Sequence, residues 1–538
     1  MNHKKQNGVY YTPEKLADFI VNHVFQNYFP TTNDLDILEP SCGDGVFIKS
    51  IISQTELRQD MNLDVTGIEL DQKELNKIRR KTKRVALTGV RFLFENEDFL
   101  KYQKENTKKY DLVIGNPPYI NKKYLLEEQK ILSNEILKKA KIEPSVVKNI
   151  WIAFLISSVL LLKENGVVCF ILPSELLQVK HSSPIRDYLF KYFRSIEIFT
   201  FNEIVFEGIE QDTIIFLGSN RPNNIGLKYS NIENLENFRV NVINEIEKTE
   251  VAINRKWTSL VLSNSAYGRL EGLRNGIANV NNFCVSGTGI VTAANESFIV
   301  SKDVIDKYGL NEYAHPIIKK SSFVKDSINF TKEDFELLVQ SGVPTNLLLF
   351  SDQDIDQFSE QVQSYLEILK TNGVDKRYKC KKRQKWFIVP SVWSSEGVFF
   401  KRSNLFPKVI VNEAKVLVTD TAYRITMRDN YNMDSFAFSF YNSLTLVYAE
   451  LYGRFYGGGV LELTPNEFKN LPLPYVEVPK DRLSELDRMF RDEISFEEIL
   501  SVTNSYILKE VLNFTDAEIH FLNETRRMLI RRRLKIDS

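Results

Sequence analysis

At 538 residues, with 43% hydrophobic and 12% aromatic residues, the chain is large enough for two or more lobes with globular cores. Lysine plus arginine equal aspartate plus glutamate at 70 each, so the chain has no net positive charge that would attract a polyanion. Any contact with nucleic acid must come from local basic patches. Four cysteines without CxxC or Cys/His spacing argue against zinc, and the absence of a long apolar run or signal-peptide pattern predicts a soluble cytoplasmic protein without membrane contact.

The first 220 residues alternate strand-like and helix-like segments, which is typical of a doubly wound, parallel α/β sheet. The predicted strands are Asp36–Leu38, Asp64–Ile68, Val90–Phe94, Asp111–Ile114, Gly166–Leu172, Ser195–Phe201 and Thr213–Leu217. The fold class predicted for this N-terminal lobe, residues 1–220, is therefore α/β.

The character of the sequence changes after this lobe. The polar stretch "GSNRPNNIG", residues 218–226, is predicted to be a linker, because strand and helix signals then mix without βαβ rhythm. A mixed α+β lobe is predicted over residues 225–480, followed by a helical tail over 481–538. A capping box at Thr515-x-x-Glu518 opens a basic helix in that tail.

The first predicted strand ends in a glycine-containing turn, "EPSCGDG". Gly43 and Gly45 permit positive φ and close backbone approach, but the third glycine position of a dinucleotide fingerprint holds Ile48. Glu39 and Asp44 put negative charge where a pyrophosphate would otherwise bind. The loop therefore favours a cofactor that carries positive charge.

Two further acids follow the next two strands. The second strand, in "VTGIELD", ends in Glu69, the location from which a carboxylate binds a ribose diol, and Asp98 in "ENEDFL" is suited to accept from an adenine amino group. An alternative is that these acids simply cap helices. Taken together with the acidic first loop, they favour S-adenosylmethionine, which has a ribose, an adenine and a cationic sulfonium.

The fourth strand ends in "YDLVIGNPPYI", residues 110–120. The two prolines prevent the strand or a helix from continuing, so a rigid loop lies at the carboxyl end of a strand, where open α/β sheets bind ligands. Asn116 and Tyr119 are therefore held in place by the loop.

This loop suits a particular chemistry. A nucleobase amino group is nearly planar because its lone pair is delocalised, and two fixed acceptors can pull it toward a tetrahedral, nucleophilic shape. The Asn116 side-chain oxygen and the Pro117 carbonyl are such a pair. Tyr119 can stack on the face of the base. No strong general base is needed before attack on a sulfonium methyl.

The chain resembles the gamma class of DNA amino-methyltransferases. The segments that carry the resemblance stand in the family's order: "GVYYTP" at residues 8–13, "EPSCGDG", "GIELD", "DFL" and "IGNPPY". The similarity is greatest to the TaqI-like adenine-N6 enzymes of restriction–modification systems. It covers about the first 220 residues closely and the rest loosely.

The resemblance implies a cofactor pocket for S-adenosylmethionine and no metal. Thr12 and Pro13 would close over the cofactor, Glu69 would hold its ribose, and Asp98 with Phe99 its adenine. The predicted cofactor-binding residues are Tyr11, Thr12, Pro13, Glu39, Ser41, Gly43, Glu69, Leu70, Asp98, Phe99, Asn116 and Pro118.

The resemblance also implies that Asn116, Pro117 and Tyr119 hold the target base. Phe206, in "VFEGIEQDT", corresponds by position to the aromatic residue that stacks on the other face of an extruded adenine. The alternative for Phe206 is a phenylalanine of the core.

A base inside a duplex must be flipped out to reach such a pocket, so the second lobe is predicted to bind DNA. The stretch "DKRYKCKKRQKWF", residues 375–387, interleaves seven Lys/Arg with aromatic residues and is predicted to be a phosphate-contacting ribbon or loop. Its predicted DNA-binding residues are Lys381, Lys382, Arg383, Lys385 and Trp386. The alternative is a solvated, charged strand.

Several other functions fit the sequence less well. A cytosine-C5 enzyme needs a thiolate, usually after proline, and no cysteine here follows one. Protein-glutamine methyltransferases share the NPPY loop but lack "YYTP" and a large downstream lobe, and a catalytically dead specificity subunit does not fit an intact Asn116 and Tyr119. Glu413-Ala414-Lys415, predicted on a strand, is similar to a nuclease Glu-x-Lys, but no partnering Asp motif precedes it.

The sequence thus predicts a bacterial, cytoplasmic, monomeric DNA methyltransferase, specific for a site that contains adenine in double-stranded DNA. It would methylate N6, with or without a separate cognate restriction endonuclease. Cytosine-N4 transfer and a bifunctional restriction endonuclease–methyltransferase remain the alternatives.

Overall fold

The computed structural model describes residues 11–32, 34–57, 61–83, 89–203, 205, 212–247, 256–324, 326–455 and 458–536. The chain divides into two compact units: Met1–Arg269 with Tyr456–Gly458, and Leu270–Phe455 with Gly459–Ser538. Among the described residues, no helix is both long enough and apolar enough to cross a membrane.

The first unit contains helices on a large sheet. Its elements are α1 (Glu14–Tyr28), β1 (Asp34–Glu39), α2 (Val46–Leu57), β2 (Asn62–Ile68), α3 (Gln72–Thr82), β3 (Val90–Glu95), α4 (Phe99–Glu105), β4 (Tyr110–Gly115), α5 (Glu127–Lys139), α6 (Trp151–Leu160), β5 (Leu162–Pro173), α7 (Glu175–Gln178), α8 (Ser183–Tyr192), β6 (Ser195–Phe201), β7 (Thr213–Ser219), β8 (Gly226–Ile232) and β9 (Val240–Ile246). The next helix, α9 (Asn264–Arg274), contains the boundary between the units.

The nine strands form one sheet in the order β3-β2-β1-β4-β5-β7-β6-β8-β9. The α/β fold predicted from the sequence is confirmed, but the sheet is mixed. The five neighbouring strands β3, β2, β1, β4 and β5 run parallel. β7 runs antiparallel to β5 and β6, and β9 runs antiparallel to β8. The segment 202–212 between β6 and β7 is shorter than the dozen or so residues that a parallel crossover needs.

The strand order reverses between β1 and β4, which pair in parallel. Ligands bind at such a switch point, in the crevice outside the carboxyl ends of the strands. The residues that follow β1 and β4 therefore lie at the edge where a site is expected.

Helix α1 packs on one face of this sheet through apolar residues such as Val21 and Val24. Glu197 of β6 is buried and accepts from His23 Nε2 at 2.7 Å and from the Tyr28 hydroxyl at 3.2 Å. These bonds satisfy a buried carboxylate that would otherwise cost free energy. They anchor the helix, whose first turn follows Thr12.

The polar stretch 218–226 does not separate two lobes. β7 ends at Ser219 and β8 begins at Gly226, so the stretch is a connection within the nine-stranded sheet. Polar residues with a proline suit a surface turn as well as a linker, because both expose the backbone to water. The predicted boundary at residue 225 is therefore wrong. Residues 226–246 belong to the sheet of the first unit, and the second unit begins at Leu270.

The second unit combines short strands with helices. After α9 come α10 (Val280–Phe283), β10 (Cys284–Thr288), α11 (Asn295–Phe298), β11 (Ile299–Val300), α12 (Lys302–Tyr308), β12 (Ala314–Ile318), α13 (Lys332–Gln340), β13 (Asn346–Leu348), α14 (Glu360–Thr371), α15 (Tyr378–Lys381), β14 (Gly397–Phe400), β15 (Arg402–Ser403), β16 (Lys408–Val411), β17 (Leu417–Val418), β18 (Ala422–Met427), α16 (Met433–Phe440), α17 (Ser443–Tyr452), β19 (Arg454–Phe455), β20 (Leu461–Glu462), α18 (Pro465–Lys469), α19 (Lys480–Arg491), α20 (Phe496–Asn504) and α21 (Asp516–Leu534). Its sheets have the orders β10-β18-β14-β16, β11-β13-β12-β17 and β15-β20-β19.

The C-terminal residues are helical, and the capping box predicted at Thr515 and Glu518 begins α21. Basic residues of this helix pair within the unit. Arg533 is buried and makes a two-pronged ion pair with Glu450 of α17, with both N–O distances at 2.8 Å. Arg527 pairs with Glu497 at 2.8 Å. These ion pairs hold the tail in place within the unit.

Candidate active site

A cavity of about 740 Å³ opens at the carboxyl ends of β1, β2, β3 and β4. Its lining is strongly acidic, and none of the lining residues that the structure describes is lysine, arginine or histidine. The acids are Glu39, Asp44, Glu69, Asp71, Glu74, Glu97 and Asp98. Such a lining repels phosphate and attracts cations.

The turn after β1 forms the floor of this cavity. Gly43 and Gly45 have φ of +49° and +80°, the left-handed region that glycine adopts at little cost. A Cβ at Gly45 would also meet Ile78 Cγ1 at 2.9 Å. The two glycines therefore allow the turn to close tightly before α2 begins at Val46.

Glu39 is the last residue of β1, and 1% of its surface is exposed. Its Oε2 atom is buried and has no hydrogen-bond partner among the residues that the structure describes. Burial, reinforced by the negative charges of Asp44 and Glu69, holds the pKa of this carboxyl well above its usual range. A buried acceptor of this kind is costly by itself and would be stabilised by a positively charged ligand in the cavity.

Glu69 follows β2 and is bonded to the neighbouring backbone. One carboxylate oxygen accepts from the Gly43 amide and the other from the Asp71 amide, both at 2.8 Å. Burial raises the pKa of the Glu69 carboxyl, although these two bonds oppose the shift. The carboxylate thus ties the first turn to the second, at the position predicted for ribose binding.

Asp98 follows β3 and caps α4, where one of its oxygens accepts from the Leu100 amide at 2.8 Å. Asp98 therefore does cap a helix, and its contact with the adenine of the cofactor stays a prediction. Its second oxygen accepts from Gln129 Nε2 at 2.8 Å, and the residue also lines the cavity. Next to it, Phe99 is buried and packs against Phe154, with ring centroids 5.0 Å apart.

The proline loop begins where β4 ends at Gly115. Asn116 Nδ2 donates to the Thr12 hydroxyl at 3.2 Å, and the Asn116 carbonyl accepts from the Ser41 hydroxyl at 3.2 Å. The Tyr119 hydroxyl donates to the Ile171 carbonyl of β5 at 3.0 Å. The loop is thus fixed to three other segments of the first unit.

The structure brings most of the predicted cofactor-binding residues together. Eleven of the twelve line the cavity, and the exception is Pro13, which precedes α1. Pro117 and Tyr119 lie in the adjoining loop without lining the cavity. Phe206 lies outside the described residues, so its predicted contact with the base has no structural counterpart. The roles of all these residues remain predictions.

The sequence reasoning missed one wall of the cavity. It is formed by residues that follow the proline loop and by α6: Ile120, Tyr124, Leu126, Gln129, Ile150 and Phe154. These residues form no motif. Leucine at position 126 cannot act as a side-chain cap, so the sequence before α5 carried no signal for this wall either.

In the second unit, the basic stretch 375–387 is not a ribbon. It forms the short helix α15 and turns, with Cys380 and Phe387 buried. Trp386 is half-buried and packs edge-on against Phe387 at 5.6 Å. The stretch therefore has a structural side and a solvent side.

Only some of its cations face solvent. Lys381 and Lys382 are exposed, and the Lys382 ammonium lies 4.3 Å from the Tyr378 ring. Arg383 instead donates to three main-chain carbonyls, including that of Trp386 at 3.3 Å, and Lys385 forms ion pairs with two carboxylates. The other acceptors of Arg383 are the carbonyls of Val291 at 3.1 Å and Thr292 at 2.7 Å, and those of Lys385 are Asp352 at 3.0 Å and Asp354 at 3.1 Å.

The nuclease-like triplet is not on a strand. β16 ends at Val411, and Glu413 and Lys415 lie in the turn that follows it, where Lys415 has φ of +53°. Glu413 accepts from Asn329 Nδ2 at 2.7 Å. The strand pattern was misread because the apolar residues 409–411 precede a turn that closes on Asn412.

Two family models match different parts of the chain. Residues 48–206 match the family model of the Eco57I restriction-modification methylase, and residues 254–508 match that of the Type II methyltransferase M.Eco57I, C-terminal domain. Together the two matches span most of the chain.

Two curated relatives match along most of their length. The Type II methyltransferase M.AccI of Acinetobacter calcoaceticus is 24% identical, covering 91% of this chain and 90% of that protein. M.BanIII of Aneurinibacillus aneurinilyticus is 22% identical, covering 80% and 82%. Among solved structures, the Type IIL restriction-modification enzyme MmeI in complex with DNA has a TM-score of 0.60 at 12% identity and covers 98% of this chain and 80% of its own. That likeness concerns the fold.

Proposed function

We propose that this chain, which is similar to Type II restriction–modification methyltransferases over most of its length, methylates N6 of adenine in duplex DNA with S-adenosylmethionine as donor. One observation carries the proposal. The acidic cavity, in which the buried Oε2 of Glu39 has no hydrogen-bond partner in the described part of the chain, adjoins a proline-stiffened loop that presents Asn116.

The cavity fits this donor by charge. Its lining, as far as the structure describes it, holds acids and no base, which suits a cation and disfavours a dinucleotide pyrophosphate. Glu39 would face positive charge, Glu69 would hold the ribose, and Asp98 would accept from the adenine. When bound, the donor supplies an electrophilic methyl group on its sulfonium.

The protein's contribution at the acceptor is to hold and reshape an amine. Oxygens of Asn116 and Pro117 would accept the two N–H bonds of the target amino group, so that its lone pair localises toward the cavity. Donation from Asn116 Nδ2 to Thr12 fixes the plane of the amide, and Pro117 is buried, which limits movement of the second oxygen. The proton leaves after transfer, so no strong base is needed.

Tyr119 would hold the plane of the base by stacking. Its hydroxyl donates to the Ile171 carbonyl, which restrains rotation of the ring. A base reaches this position only when it leaves the duplex, as for other enzymes that act on bases. Phe206 remains the proposed partner on the opposite face.

The test is a transfer assay with purified protein, tritium-labelled S-adenosylmethionine and genomic duplex DNA, followed by nuclease digestion and mass spectrometry. The expected product is N6-methyladenine at one short recognition sequence. N4-methylcytosine instead would overturn the choice of base, because the same acceptor pair serves both amines. Absence of any methylated base would overturn the whole proposal.

We also propose that Lys381 and Lys382 bind DNA phosphate, because both are exposed. The Lys381→Ala/Lys382→Ala variant is expected to bind duplex DNA more weakly, and its salt slope should be smaller by about 1 for each phosphate that a lysine no longer neutralises. Equilibrium binding over a range of salt concentrations measures this slope. Lys332→Ala/Lys480→Ala is the matched control. An unchanged slope would assign the two lysines to solvent.

A further inference from the structure

Gln129 lies at the start of α5 and makes two different hydrogen bonds. Its Oε1 accepts from the Leu126 amide at 3.2 Å, and its Nε2 donates to Asp98 Oδ2 at 2.8 Å. The Leu126 N–H can only donate, so it must face the oxygen of the side-chain amide. The amide nitrogen therefore faces the carboxylate, and the orientation of Gln129 is settled by its partners.

These bonds hold Asp98 from two sides. The Leu100 amide binds Oδ1 and Gln129 binds Oδ2, each at 2.8 Å. A carboxylate offers about four lone-pair directions, so two remain for a ligand in the cavity. The direction of those two is set by the fixed donors. Without the donor from α5, the carboxylate could turn about its side-chain bonds.

Gln129 is also tied to the loop that would hold the target base. The segment from Ile120 to Gln129 leads from that loop to the cavity wall. The Ile150 amide donates to the Ile120 carbonyl at 2.9 Å at one end, and Asp98 accepts from Gln129 at the other. The segment thus has fixed points beside both proposed ligands.

We propose that Gln129 is a positioning residue that makes the cavity select a donor with a 6-aminopurine over one with a 6-oxopurine. The proposal rests on the proposed function. A 6-amino group donates to a carboxylate, whereas a 6-oxo group presents a second acceptor to it. The fixed carboxylate cannot turn away from that repulsion, so discrimination depends on the donor that holds it.

A purely structural role makes a different prediction. As a helix cap, Gln129 needs only an acceptor for the Leu126 amide, and glutamate supplies one. Gln129→Glu therefore keeps the cap, but it removes the donor and sets a second carboxylate against Asp98. Gln129→Ala removes both bonds. The two variants separate capping from positioning.

The experiment measures dissociation constants for S-adenosylhomocysteine and S-inosylhomocysteine by calorimetry. The wild-type protein is expected to favour the adenine compound, and the preference is expected to fall at least about tenfold in Gln129→Glu and in Gln129→Ala. In turnover assays the variants should show a higher KM for the methyl donor and a little-changed kcat. Glu128→Gln, an exposed neighbour on α5, is the control.

Each outcome of the binding experiment supports or overturns the proposal. A loss of preference in both variants supports the proposal. An equal loss of affinity for both compounds, or an unaltered preference, overturns it and leaves Gln129 as a helix cap. If the wild-type protein binds neither compound, the proposed function fails, and this proposal fails with it. Thermal unfolding of each variant establishes that the comparison is made between folded proteins.

Discussion

Replacing Asn116 by alanine is expected to reduce kcat by about 10³-fold or more, with donor and DNA binding largely retained. The variant lacks one of the two oxygens that would pull the target amino group out of the plane of its ring. In the proposed mechanism, binding of the donor would depend mainly on acids elsewhere in the cavity. Single-turnover methylation with preformed protein–DNA complex measures the chemical step apart from association.

Asn76→Ala is the matched control, because Asn76 is exposed on α3 and does not line the cavity. Wild-type-like turnover in Asn116→Ala would contradict the mechanism. Parallel titrations with S-adenosylhomocysteine are needed, since Asn116 also donates to Thr12 and its loss could loosen the segment that precedes α1. A fall in kcat with unchanged donor affinity isolates the role at the amine.

The arrangement of the cavity was predictable where it depends on strand ends. The carboxyl ends of parallel strands meet at one edge of a sheet, so Glu39, Glu69 and Asp98 had to approach each other once three strands were recognised. The same argument located Asn116 after the fourth strand. The residues at the end of a strand are adjacent to it in sequence, so a single sequence is enough to identify them.

Other features depend on contacts that are distant in sequence. Arg383 is one of seven cations in its stretch, and only the fold reveals that the carbonyls of Val291 and Thr292 bind it. The sequence likewise offered no reason to select Gln129, because its partner Asp98 lies 31 residues earlier in the chain. The antiparallel direction of β7 likewise follows from pairing with β5 and β6, which apolar patterning does not specify.

Glu39→Gln is expected to lower the affinity for S-adenosylmethionine by about 10- to 100-fold, because the variant loses a charge-assisted contact in a buried place. The pH dependence distinguishes this cause. In the wild-type protein the pKa of the Glu39 carboxyl is raised, so its charged form, which would bind the cation, increases as pH rises through that pKa. Donor affinity should therefore rise with pH, whereas that of Glu39→Gln should stay flat.

Stability without donor should change in the opposite direction. The unfolded carboxyl titrates near 4.5 and the folded one well above it, so between those pKa values the folded state binds more protons. The free energy of unfolding contributed by Glu39 is therefore lost as pH rises through the folded pKa. Glu39→Gln removes this dependence, and its donor-free form should unfold at a higher temperature than wild type at neutral pH and above.

Calorimetric titrations and thermal unfolding over about pH 6 to about pH 9 test both expectations on the same samples. Glu105→Gln, an exposed carboxylate at the end of α4, is the control for charge removal away from the cavity. Affinity in Glu39→Gln equal to that of wild type would mean that Glu39 meets no positive group of the donor. The costly buried carboxylate would then have no binding role, and the charge of the cavity would no longer support a cationic donor.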